Sequence, residues 1–192
     1  MNNFELIIEK SIYKYEEGFI YVFSKNKFLN FQIFSTIFTW ILGTILHFTY
    51  EWSNENSIVA IFSAINESTW EHLKLLFFPM LITTIIGYFY LKPKEDYKNF
   101  LCAKTLGILA SLSFVVVFFY TYTGIIGTNF AVLDIGSFFV GVLLGEFVSY
   151  KMTLSMKCCN KWSAVIVLII LLVCFITFTF YAPDIGLFRN PI

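Results

Sequence analysis

The chain has 192 residues, of which 58% are hydrophobic, 20% aromatic and only 14% charged, with a formal net charge of +0. Twenty-four Phe and so few charges exclude a disordered chain, and the absence of excess basic charge excludes a nucleic-acid binder. Soluble domains carry about 25% charged residues, so the composition predicts a membrane protein.

Taken in chain order, the first 28 residues place Phe4, Ile8, Ile12, Tyr15, Phe19 and Val22 at helical spacing, with Glu5, Glu9, Lys10, Lys14, Glu16 and Glu17 mostly between them. That pattern predicts an amphipathic helix lying in the membrane surface, with a break at Gly18, or else a cytosolic stub packed on the bundle. Residues 29–182 form the expected helix bundle and residues 183–192 an extracytoplasmic tail, the whole being one integral membrane domain. A bilayer crossing needs about 20 apolar residues. Five windows qualify: Phe31–Tyr50, Leu75–Leu91, Cys102–Tyr122, Phe130–Tyr150 and Ser163–Ala182. The second carries Pro79, which a membrane helix tolerates if neighbours satisfy the freed carbonyl. Ser57–Ile65 is too short to cross and reads as a re-entrant or interfacial element, or a sixth span if it inserts. The expected fold is therefore an all-α polytopic bundle of five transmembrane helices.

Lysines fix the expected orientation. With the N-terminus inside, Lys10, Lys14, Lys25, Lys27, Lys92, Lys94, Lys98, Lys151, Lys157 and Lys161 lie on one side, while Lys74 and Arg189 remain on the other. The bias predicts a multi-pass protein of a bacterial plasma membrane, N-terminus cytoplasmic and C-terminus extracytoplasmic. Cys102, Cys158 and Cys159 then face the reducing compartment and read as free thiols. The opposite mouth gathers Glu51, Glu55, Glu67, Glu71, Asp134 and Asp184.

That mouth holds the candidate site. His47 and Glu51 are four residues apart at the end of the first span, and Glu67 and Glu71 four apart at the start of the second, so each pair shares a helix face. His72 follows Glu71, Asn66 precedes Glu67, and Asp134 lies one turn into the fourth span. Carboxylates with imidazoles at one depth suit zinc, manganese or iron, which makes His47, Glu67, Glu71 and His72 candidate metal ligands. Asp134 would close the site and Arg189 would neutralise it. The plain structural alternative also stands, since Ser68-x-x-Glu71 is a capping box and Glu67 suits a helix N-terminus. Two further patterns are structural. Lys104 and Glu146 fall at matching depths on adjacent spans and predict a buried ion pair. Ser137, Gly141, Gly145 and Ser149 recur every four residues, a small-residue stripe for close helix packing that offers a weaker seam for a homodimer.

The blocks His47-Phe-Thr-Tyr-Glu-Trp-Ser53, Asn66-Glu-Ser-Thr-Trp-Glu-His-Leu-Lys-Leu-Leu-Phe-Phe-Pro-Met80 and Leu187-Phe-Arg-Asn-Pro191 resemble a family of small multi-pass bacterial membrane proteins of unknown function. The resemblance implies a shared bundle and a characteristic polar motif at its outer end, and no activity. The three-His set of alkaline-ceramidase-type hydrolases is absent from a chain with two His, as are HExxH, GxSxG and Walker A motifs. Three functions remain open. One is an outward-facing pocket for a cation, proton or small polar ligand, in transport or sensing. Another is a membrane-embedded metal-dependent hydrolase or transferase with Glu67 or Glu71 as general base. The third is a structural subunit binding an unidentified protein partner in the lipid bilayer. No catalytic residue is assigned.

Overall fold

The structure, a computed structural model, describes residues 3–91, 97–155 and 160–191, with side chains from residue 26 onward. Lys92, Lys94, Lys157, Cys158 and Cys159 lie outside the described residues, as does the side-chain pattern expected ahead of residue 26. The described chain is all-helical: α1 (Asn3–Trp52), α2 (Ser57–Ala60), α3 (Thr69–Leu91), α4 (Phe100–Ile126), α5 (Ala131–Thr153) and α6 (Lys161–Phe180), followed by a 3-10 turn at Gly186–Phe188. Five helices are long and apolar enough to cross a membrane: Asn26–Trp52 within α1, then α3, α4, α5 and α6.

Two expectations need correction. α1 is one helix of 50 residues that continues through Gly18. A lone Gly costs a helix only about 1 kcal/mol, and without a cap or Pro nothing there stops propagation. The segment after α1 does not supply a sixth span among the described residues, because its helix is only four residues long. Asn54 and Glu55 take left-handed φ values of 53° and 60° and end α1 sharply. Asn56 then caps α2 by accepting the Ile58 N–H at 2.9 Å. Ser63 folds the segment back onto α1, accepting the Tyr50 N–H at 3.0 Å and donating to the Leu46 carbonyl.

Register follows from cross-helix pairs. α1 meets α3 at Ser35–Thr83 and His47–His72, and meets α5 at Gln32–Glu146 and Trp40–Phe139, so both run antiparallel to it. α4 and α5 are antiparallel through Ser111–Gly141 and Tyr122–Asp134. Trp52, Thr69, Ile126, Ala131 and Phe180 therefore share one end of the bundle, called the acidic end below.

Pro79 sits inside α3 and removes the N–H that would have satisfied the Leu75 carbonyl. α1 approaches that carbonyl through Gly43, where an added Cβ would lie 2.5 Å from Leu75 O. A side chain there would push the two helices apart. The small-residue stripe behaves the same way inside the chain. Ser111 donates to the Gly141 carbonyl at 2.8 Å, and a Cβ on Gly145 would meet Ser111 Oγ at 2.0 Å. Ser137, Gly141, Gly145 and Ser149 are all buried in the bundle.

The bundle is apolar outside and buries several polar and charged groups among the apolar side chains of its core. Ile41, Val117, Phe147 and Ile169 are exposed, whereas Ser35, Thr83, Lys104, Ser111 and Glu146 are buried. Burying a charge while exposing Ile is unfavourable in water and favourable when the surrounding solvent is hydrocarbon. The Lys104 ammonium lies 2.6 Å from Glu146 Oε2 with 0% and 4% side-chain exposure, as its sequence position suggested. Ser35 donates to the same carboxylate at 2.7 Å. Cys102 is disulfide-bonded rather than a free thiol, and Cys174 is free.

Candidate metal centre

The centre is built at the start of α3. Asn66 Oδ1 accepts the Ser68 N–H at 2.9 Å, and Ser68 Oγ accepts the Glu71 N–H at 3.4 Å. These bonds satisfy donors that a helix N-terminus leaves orphaned and place His72 in the first turn. His72 Nδ1 lies 2.9 Å from the Ser68 carbonyl. A carbonyl only accepts, so Nδ1 carries a proton, and when the ring is neutral Nε2 presents its lone pair to the opposite side.

That lone pair faces two other donors. His47 Nε2 on α1 lies 3.3 Å away, and Glu67 Oε2 lies 3.4 Å away. One ligand atom from each of His47, Glu67 and His72 falls within 4.8 Å of the others, a group able to hold a metal ion. A tetrahedral ion with bonds of about 2.0–2.1 Å spaces its ligand atoms about 3.3–3.4 Å apart. Two edges of the cluster thus already match a tetrahedron. The Nδ1–carbonyl bond of His72 is the kind of outer contact that fixes a ligating imidazole's tautomer and ring plane. Glu67 is 67% exposed and His72 32% exposed, so the cluster opens to its surroundings.

All three side chains line a cavity of about 500 Å³ between α1, α3, α4 and α5, whose lining also includes Asp134 and Pro191 of the tail. Phe188 packs on Trp70 at 4.9 Å and on Phe178 at 5.5 Å between ring centroids. Those contacts seat the tail over the acidic end. The deeper lining is Leu75, Leu76, Val115 and Phe138, and none of Ser35, Thr83, Lys104 or Glu146 reaches it. The cavity is a chamber that stops short of the Lys104–Glu146 pair.

Several expected members stand elsewhere. Glu71 is 3% exposed and turns away from the cluster, pairing with Lys74 at 2.5 Å and accepting the Ile65 N–H at 3.0 Å. It is four residues from Glu67, but Glu67 precedes the helix start, so helical spacing does not apply to that pair. Glu51 is exposed and neither joins the group nor lines the cavity. Asn66 acts as a local cap. Asp134 shares the cavity but not the metal group; Tyr122 and Asn129 both donate to it. Arg189 pairs with Asp184 at 2.8 Å, out in solvent, and does not neutralise the site.

Sequence reasoning missed the burial of Lys74, which also donates to the Ala60 carbonyl at 2.7 Å and to Thr179 Oγ1 at 3.0 Å. Its position three residues after Glu71 was the available signal. Tyr122, the donor to Asp134, was read only as a span end.

Fold and site together define a small all-helical protein, with five helices of membrane-spanning length and a His/His/Glu cluster set in a chamber at one end. The chain belongs to the family of unknown function DUF6512, which matches residues 18–192. No curated protein and no solved structure matches it.

Proposed function

We propose that this is an integral membrane protein that binds a divalent transition-metal cation, zinc foremost, through His47, Glu67 and His72. The observation that carries the reading is the mutual spacing of the three ligand atoms, with Nδ1 of His72 tied to the Ser68 carbonyl. Two imidazoles and one carboxylate are a borderline-soft set that suits zinc and disfavours calcium or magnesium, which prefer all-oxygen shells. The lysine-rich end lies in the cytoplasm and the metal chamber faces outward, in line with the distribution of basic residues. A chamber that ends above the Lys104–Glu146 pair supports binding or sensing over passage through the bundle.

Zinc content of the purified protein tests this. Wild type and Glu51→Gln retain about one equivalent per chain, and His47→Ala and His72→Ala lose it. Equal metal in all four overturns the assignment. A second reading, a metal-dependent hydrolase, is favoured by one observation: the candidate set has three residues and lines the cavity, so a tetrahedral ion held there would have a position open to substrate or water, as catalytic zinc sites do.

A further inference from the structure

The chamber is larger than a metal ion needs. At about 500 Å³ it falls among pockets that hold drug-sized organic ligands. Its lining is divided by chemistry. His47, Glu67, His72 and Asp134 gather toward the acidic end, while Leu76, Val115, Phe119 and Phe138 make up an apolar interior.

The chamber also opens sideways. Thr44 and Phe48 on α1, and Ile135 and Phe139 on α5, line it and are at the same time exposed on the outer surface of the bundle. Thr44 lies eight residues before the end of α1 and Phe139 eight residues after the start of α5. At 1.5 Å per residue that is about 12 Å from the helix ends, a depth at which a membrane helix meets lipid chains. The opening has a lower edge, since Trp40 Nε1–H donates to the Phe139 carbonyl at 3.3 Å and the two rings meet edge to face at 5.4 Å. A water-borne solute has no use for a side entrance at that depth. A molecule dissolved in the bilayer does.

Charge decides the head group. Glu67 and Asp134 repel an anion, and the cations of this end, Lys74 and Arg189, are held by Glu71 and Asp184. A divalent ion on His47, Glu67 and His72 would cancel the charges of Glu67 and Asp134, and with three protein ligands would have room for an oxygen ligand from an oxyanion head group. We propose that the chamber admits a single-chain amphiphile from the bilayer between α1 and α5. Its chain fills the apolar interior and its oxyanion head group, carboxylate or phosphate, ligates the metal. This inference rests on the metal centre proposed above.

The test uses full-length protein in nanodiscs with a fatty acid carrying a photoactivatable group on its chain, and adducts are mapped by mass spectrometry. A lysophosphatidic acid with the same chain label compares phosphate with carboxylate, and a labelled long-chain alcohol supplies a neutral head. With zinc, the acidic amphiphiles label Val115, Phe119 or Phe138, and labelling falls several-fold with a chelator or in His72→Ala. Thr44→Trp, which narrows the entrance, lowers labelling with zinc content unchanged. Excess acetate, which has the head group and no chain, leaves labelling in place. Adducts confined to outward residues such as Val117 and Phe147 while zinc is bound overturn the inference and leave the metal centre standing. Equal chamber labelling by the alcohol, or with zinc removed, also overturns it. Wild type that takes up no zinc overturns both.

Discussion

Lys74 Nζ lies 2.5 Å from Glu71 Oε2, with side-chain exposures of 0% and 3%. The ammonium also reaches the Ala60 carbonyl and Thr179 Oγ1. One buried ion pair therefore ties the short helix α2 and the end of α6 to the first turn of α3, the turn that carries His72. The carboxylate that looked like a fourth candidate ligand is held in this brace, outside the His47, Glu67 and His72 group. Removing one partner leaves an uncompensated buried charge, a loss of about 3–5 kcal/mol. Lys74→Met and Glu71→Gln are each expected to lower the thermal unfolding midpoint sharply, and the double variant to recover most of the loss. An additive double variant would show that the two groups do not act as a pair. If the proposed zinc site holds, Glu71→Gln chains that fold should bind zinc as wild type does, because Glu71 does not face the cluster.

The Lys104–Glu146 pair gives a parallel expectation in the interior. Lys104 donates to both carboxylate oxygens, at 2.8 and 2.6 Å, and to Ser35 at 3.0 Å. Lys104→Leu strands the Glu146 carboxylate beside Ser35 and Thr83. It should destabilise by about the same 3–5 kcal/mol, with Lys104→Leu plus Glu146→Gln close to wild type by denaturant unfolding in detergent. Comparable losses in the single and double variants would mean that the lysine stabilises through something other than the ion pair.

Gly145 and Gly136 make a matched comparison on one helix. A Cβ on Gly145 would come within 2.0 Å of Ser111 Oγ and 2.6 Å of the Gly107 carbonyl, whereas a Cβ on Gly136 meets nothing within 4 Å. Gly145→Ala forces α4 and α5 apart and should cost about 1–3 kcal/mol, the range for overpacking. Gly136→Ala should be neutral or stabilising, since Ala is the better helix former by up to about 1 kcal/mol. Equal thermal midpoints for the two variants would contradict the close α4–α5 seam.

Much of the architecture was readable because the bilayer imposes simple rules. Length and hydropathy located all five spans, although α3 begins at Thr69 and α1 runs on from Asn3, outside the apolar windows that marked them. The Lys104–Glu146 pair was readable because two charges inside apolar helices must find each other. His47 and His72 were readable because their positions at the facing ends of two consecutive spans, α1 and α3, set them at one depth. What failed was local geometry at helix starts. Whether Glu67 and Glu71 share a face depends on where the helix begins, and Ser68 starts it after Glu67. The burial of the Glu71–Lys74 pair was hidden because Lys74 reads as an interfacial lysine until its neighbours on α2 and α6 are known. The chamber itself has no sequence signature, since it arises where side chains of four helices fail to fill the space between them.

Metal dependence of stability separates a metal centre from a hydrogen-bonded polar cluster at the same residues. A ligand that binds only the folded state stabilises it by RT ln(1 + [L]/Kd), about 2.7 kcal/mol at a hundredfold excess over Kd. For a chain of this size that corresponds to roughly 5–10 °C in the unfolding midpoint. Zinc added to metal-stripped protein should raise the midpoint by that amount, and a chelator should reverse the rise. Magnesium should leave it unchanged, because two of the three ligand atoms are imidazole nitrogens. In His72→Ala the zinc response should vanish, while Glu51→Gln, altered at an exposed carboxylate outside the group, should respond as wild type does. A polar cluster without metal predicts another pattern. His72→Ala would then lower the midpoint through loss of its bonds to Ser68 and His47, and zinc would shift neither protein. If zinc shifts wild type and His72→Ala equally, the ion is binding elsewhere, and His47, Glu67 and His72 hold only one another.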